Sequence, residues 1–120
     1  MHCTGTAYSD PAPVIDRAVE HGEVPVILAH LGRTAPPELV IELIRDRGAR
    51  NVYVDTSAMR DPAMVQRAID TIGAGRILFG SDFPFYRPAD IITLIRSSGA
   101  EDRDIERILY QNAAELFAAD

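Results

Sequence analysis

Apolar residues along this chain fall into two alternating patterns. Three short runs, VPVILAHLG (24–32), NVYVDTSA (51–58) and RILFGSDFP (76–84), are rich in Val, Ile, Leu and aromatics and pass at once into small or polar residues. Each is too short for a helix and reads as a buried strand. Between them the apolar positions recur at helical spacing. PPELVIELIRDRG puts Leu39, Val40, Leu43 and Ile44 on one face and stops at Gly48. DPAMVQRAIDTIG offers Asp61 as N-cap, Pro62 at the first helical position, an apolar face of Met64, Val65, Ala68, Ile69 and Ile72, and Gly73 as the stop. SDPAPVIDRAVEHG repeats that grammar before the first run, with Val14, Ile15, Ala18 and Val19 facing inward and Gly22 at the end. RPADIITLIRSSG predicts a helix after Pro88. EDRDIERILYQNAAELFAAD predicts a closing amphipathic helix that buries Ile105, Ile108, Leu109, Ala113, Leu116 and Phe117.

Strand alternating with helix is the pattern of an α/β fold with a parallel sheet, because parallel neighbours need a crossover and are usually covered on both faces. His30, Ser57 and Asp82 close the three runs, 27 and 25 residues apart, and His2 lies 28 residues before His30. Met1, His2 and Cys3 therefore read as the last residues of an earlier strand. Four polar residues then stand at four successive strand C-termini, the rim where parallel α/β sheets bind ligands. Gly80 allows a ligand or a neighbouring backbone to come close, and Pro84 turns the chain away.

The bulk numbers narrow the setting. A chain of 120 residues, 47% hydrophobic and 25% charged, has enough apolar material for one core, so residues 1–120 are expected to form one domain. Asp and Glu outnumber Lys and Arg 18 to 12, and a formal charge of -6 leaves no basic face for nucleic acid. The single cysteine, Cys3, excludes an internal disulfide and fits a cytoplasmic protein. No apolar run reaches the ~20 residues of a membrane helix, and the first residues lack the charged and apolar regions of a signal peptide. No nucleic-acid or membrane partner is expected.

Each polar residue at the rim also has a plain structural reading. Asp82 fits a turn or a helix cap after a strand. His30 fits a hydrogen-bonded structural histidine, and Asp55 and Ser57 fit a polar strand-end turn. His21 sits in a last helical turn, where a cation complements the helix dipole. Arg33 is either a solvated loop residue or a ligand for a substrate carboxylate. Cys3 is expected to be inert, and Asn112 to make structural hydrogen bonds.

Taken in order, HCTG (2–5), ILAHLG (27–32), VYVDTSA (52–58), RILFGSDFPF (76–85) and ILYQNAAELF (108–117) resemble the C-terminal half of the amidohydrolase-related (amidohydrolase 2 type) TIM-barrel enzymes, metal-dependent hydrolases and decarboxylases. The resemblance implies strands five to eight of a (β/α)8 barrel. It implies a divalent metal, with zinc the first choice, held by His2, His30 and Asp82, and catalytic roles for Asp82 and His30. Such a metal lowers the pKa of bound water toward ~7 and polarises a carbonyl. The implied reaction is hydrolysis of a small ester, lactone or amide, or decarboxylation of a small organic acid. A full barrel takes about 250 residues, and no first-strand HxH is present. Closure is expected from a homo-oligomer or from a separate N-terminal half. A noncatalytic α/β binding module and an inactive truncated fragment remain open as other readings of the same residues.

Overall fold

Each of the three apolar runs becomes a strand: β1 (Val26–Leu28), β2 (Val52–Asp55) and β3 (Ile77–Leu78). A computed structural model describes residues 10–31 and 36–118. The strands form a parallel sheet in the order β1-β2-β3. Leu28 is opposite Val54, and Asp55 is opposite Leu78. Two helices make the crossovers, α2 (Pro37–Asp46) from β1 to β2 and α3 (Pro62–Ile72) from β2 to β3. Helix α1 (Pro11–Glu20) precedes the sheet. Helices α4 (Pro88–Arg96), α5 (Asp102–Glu106) and α6 (Asn112–Leu116) follow it. The expected strand at His2 lies outside the described residues.

The helices start where capping chemistry puts them. Asp10 and Asp61 each accept the backbone N–H two residues on, from Ala12 at 3.0 Å and Ala63 at 2.9 Å, with proline opening each helix. Gly73 ends α3 at φ 87°, a conformation that costs other residues more. Helical periodicity selects the core: Ile15 and Ala18 from α1, Val40, Ile41 and Ile44 from α2, and Met64, Val65, Ala68 and Ile72 from α3 surround Leu28, Val52, Val54 and Ile77. Fully burying a side chain of this size contributes about 1.5–3 kcal/mol.

Four expectations change. Val19, Leu39 and Phe117, placed on buried faces by spacing alone, are 44%, 56% and 67% exposed, and Ile41 takes an inward place instead. Along β2, Val52 and Val54 are buried whereas Tyr53 and Asp55 are only half-buried. The second face of the sheet is thus less covered than an all-apolar parallel strand would have it. The run at 76–84 yields only two residues of strand, because the backbone leaves the ladder at Phe79. The closing helix runs from Asp102 to Leu116 as expected but is not regular: a π-helical turn, Arg107–Gln111, lies between α5 and α6.

The last two changes have one cause. In the π turn the Asn112 N–H reaches back to the Arg107 carbonyl, which releases the Ile108 carbonyl from the helical ladder. Ile108 O then accepts the Phe79 N–H at 3.0 Å. Buried Asn112 lies one residue beyond the turn. Its side-chain amide donates to Ala74 O at 2.6 Å and Ile77 O at 2.8 Å, fastening the closing helices to β3 from both ends. Asn51 does similar work at the other edge, donating to Ala18 O at 2.8 Å, His21 O at 3.1 Å and Val24 O at 2.7 Å. His21 is the C-cap of α1, its backbone N–H donating to Ala18 O and Arg17 O. Arg76 lies along the end of α3, donating to Ile72 O at 3.1 Å and Ala49 O at 2.7 Å. Burial pulls its guanidinium below the usual arginine range, with the neighbouring Tyr53 acting the other way.

Candidate active site

All three strands release the chain through left-handed backbone. His30 and Leu31 follow β1 at φ 62° and 47°, Ala58 follows β2 at 58°, and Asp82 follows β3 at 68°. Histidine and aspartate visit this region more readily than most residues, whereas leucine and alanine do so at a cost of about 1 kcal/mol or more. Ala58→Gly should therefore raise stability by about 0.5–1 kcal/mol, the relief of left-handed strain exceeding glycine's extra entropy in the unfolded chain. Urea denaturation checks this; no rise in the midpoint would mean the turn is held without strain.

His30 is 8% exposed and sits at the centre of a hydrogen-bonded cluster that joins β1 to β2. Its backbone N–H donates to Asp55 Oδ1 at 2.9 Å and, more weakly, to Ser57 Oγ at 3.3 Å. The Ser57 backbone N–H donates to the same Asp55 oxygen at 3.0 Å, and the Ser57 hydroxyl donates to it as well. The His30 ring meets that hydroxyl through Nδ1, at 2.8 Å. Asp55 and Ser57, which the sequence allowed to be no more than a polar turn, hold the histidine that ends the neighbouring strand. The β1–β2 register, which pairs Leu28 with Val54, brings the residues just past the two strand ends side by side.

Thr56, fully buried between them, works on the other side. Its backbone N–H continues the ladder to Leu78 O at 3.0 Å, and its hydroxyl donates to Gly80 O at 3.0 Å and accepts the Gly80 N–H at 3.1 Å. This one side chain replaces the missing rungs of β3. Gly80 is packed against the cluster, because a Cβ there would meet Asp55 Cγ and Ser57 Cβ at 3.4 Å. The close approach expected at this glycine is thus made by the neighbouring strand's side chains.

Asp82 is half-buried two residues beyond Gly80. Its carbonyl accepts the Phe85 N–H at 2.9 Å, closing a turn. Among the described residues its carboxylate takes part in no ion pair or side-chain hydrogen bond. Phe83 and Phe85 beside it are 71% and 80% exposed. A cleft of about 330 Å³ opens next to His30, lined also by Leu31, Ala58, Met59, Arg60 and Met64. Arg60, whose guanidinium donates to Tyr86 Oη at 3.0 Å, is a cation on this wall that the sequence did not single out. His2, Cys3 and Arg33 lie outside the described residues. Among the described residues no three of His, Cys, Asp and Glu gather closely enough to hold a metal ion, and no helix is long and apolar enough to cross a membrane.

The family model described as amidohydrolase matches residues 1–119. A 2,6-dihydroxybenzoate decarboxylase, solved with 2,6-dihydroxybenzoate, is similar in structure with a TM-score of 0.70 and 22% identity, over 92% of this chain and 42% of that one. A dihydroxybenzoic acid decarboxylase from a Polaromonas species, solved with manganese and the inhibitor 2-nitroresorcinol, gives 0.68 and 20%, over 91% and 41%. An amidohydrolase from Burkholderia multivorans with bound zinc gives 0.67 and 18%, over 91% and 49%. Such identities speak for the fold. The chain spans less than half the length of each of these proteins.

Proposed function

The chain belongs to the amidohydrolase family, and from that premise we propose that it is the C-terminal half, strands five to eight, of a (β/α)8 barrel enzyme. The enzyme is a metal-dependent hydrolase of a small ester, lactone or amide, or a decarboxylase of a small organic acid. The observation that carries this reading is the placement of His30 and Asp82 at the exits of β1 and β3 on one parallel sheet, with His30 held by Asp55 and Ser57. The printed descriptions of two similar structures, both decarboxylases of dihydroxylated benzoic acids, favour the decarboxylase branch.

The donors fit a divalent metal. Imidazole nitrogen and carboxylate oxygen suit zinc and manganese alike, and the Asp82 carboxylate has no competing cation among the described residues. Two donors are too few, so the reading takes His2 as the third ligand and draws the rest of the shell from a partner, either a second copy or an N-terminal half of the barrel. When bound, the metal supplies a Lewis acid and a water of lowered pKa. The chain's own residues do the remainder. Asp82 holds negative charge at the rim, His30 gives or takes a proton at its ring, and the cleft beside His30, with Arg60 on its wall, accepts an anionic substrate.

Metal content per subunit, measured alongside mass by light scattering, tests the reading. The expected result is about one metal per closed assembly, lost on Asp82→Ala while circular dichroism stays unchanged. A closed assembly that is free of metal, or whose metal survives Asp82→Ala, would overturn it.

A further inference from the structure

We infer that Asp55 and Ser57 fix the His30 ring in the tautomer protonated at Nδ1, leaving Nε2 as the lone-pair nitrogen. The inference follows from counting protons. Asp55 Oδ1 receives two backbone N–H groups, from His30 at 2.9 Å and Ser57 at 3.0 Å. Amide N–H groups only donate, so this oxygen is an acceptor whatever else approaches it. The Ser57 hydroxyl bonded to the same oxygen must therefore direct its single proton there. Its oxygen can then only accept from the ring, and Nδ1, 2.8 Å away, must carry the hydrogen. In a neutral imidazole with Nδ1 protonated, Nε2 is the acceptor.

Nothing about Ser57 on its own would select this tautomer, since a hydroxyl donates as readily as it accepts. The selection comes from Asp55, which consumes the hydroxyl proton, and from the strand pairing that brings residues 25 and 27 positions apart to His30. Asp55 and Ser57 are thus positioning residues, acting through His30. Hydrogen bonding of one ring nitrogen is the usual way a protein decides which nitrogen is offered to a metal or a proton. The inference deepens the reading above and rests on it only for its use: Nε2 becomes the atom that binds a cation or takes a proton. The tautomer itself is a property of the metal-free chain.

The test is the long-range proton–nitrogen correlation spectrum of metal-free, 15N-histidine-labelled chain at about pH 8, above the ordinary histidine range, with His30 assigned by its absence in His30→Gln. The expected pattern is that of an Nδ1–H ring. Ser57→Ala should abolish the preference and make Nε2–H a major population, and Ser57→Thr, which keeps the hydroxyl, should restore it. A wild-type ring protonated at Nε2 would overturn the inference even if Ser57→Ala failed to fold, and so would a folded Ser57→Ala chain with the tautomer unchanged. Metal is absent throughout, so failure of the metal reading is seen separately, in the Asp82→Ala experiment.

Discussion

Asn112→Asp is expected to cost about 3–5 kcal/mol of stability, more than the smaller side chain of Asn112→Ala costs. The reason is the direction of two hydrogen bonds. Asn112 is 2% exposed, and its amide donates to Ala74 O and Ile77 O. Aspartate keeps the shape but puts an oxygen where those donors stood, facing two carbonyls in a site that water does not reach, and an uncompensated buried charge costs on this order. Alanine instead loses two bonds worth about 1 kcal/mol each and some packing. It also removes Asn112 Oδ1, a buried acceptor with no partner, and gains about 0.5 kcal/mol of helix propensity. A net loss of about 1–3 kcal/mol remains. Urea denaturation of both variants decides the matter: if Ala costs as much as Asp, the site matters for its volume and the two bonds contribute little.

Thr56→Val is the second large effect, a loss of about 2–4 kcal/mol. The substitution keeps size and β-branching, so packing is nearly unchanged. What it removes is the only group that serves both the N–H and the C=O of Gly80 among the described bonds. Leaving a buried backbone donor or acceptor unserved costs about 1–3 kcal/mol, and the two here belong to half-buried Gly80, which places the loss at the lower end for each. Thr56→Ser keeps the hydroxyl and should lose about 1 kcal/mol for the buried methyl. Denaturation midpoints of the pair, with amide exchange at Gly80, give the readout. Equal losses in Val and Ser, or unaltered exchange at Gly80, would refute this account of β3.

Both predictions concern the strand that carries Asp82, and both rest on residues whose importance was hard to read from the sequence. The helices were legible, down to the caps at Asp61 and Gly73, because capping and apolar spacing are local. So was the parallel α/β order. The length of β3 was not. Five residues from Arg76 to Gly80 look equally strand-like, and only the Phe79 N–H turning to Ile108 O, 29 residues away, shows where the ladder ends. The candidate site divides in the same way. His30 and Asp82 stood out as polar residues ending apolar runs. For Asp55 and Ser57 the sequence supports a rim position and a polar strand-end turn equally, since their tie to His30 depends on register across the sheet. Thr56 was missed because a threonine in a strand asks for no explanation. Val19, Leu39 and Phe117 fit the buried spacing, yet no element reaches them among the described residues, and periodicity does not say which neighbours exist.

The fastening of β3 by Asn112 also bears on how the chain is made. β1, β2 and their crossover helix involve residues no later than 55, so that pair can form while the rest is still on the ribosome. The strand at 77–78 has a different schedule. Its own ladder is two residues long, and two of its fasteners, Ile108 O and the Asn112 amide, are synthesised some thirty residues after it. Until they emerge, β2 keeps an open edge able to pair with a strand from a neighbouring nascent chain. The rim aspartate is therefore expected to come into place only after residues 108–112 have been made. Protease protection of the segment around Asp82 in ribosome-stalled chains should appear only once residue 112 has cleared the exit tunnel.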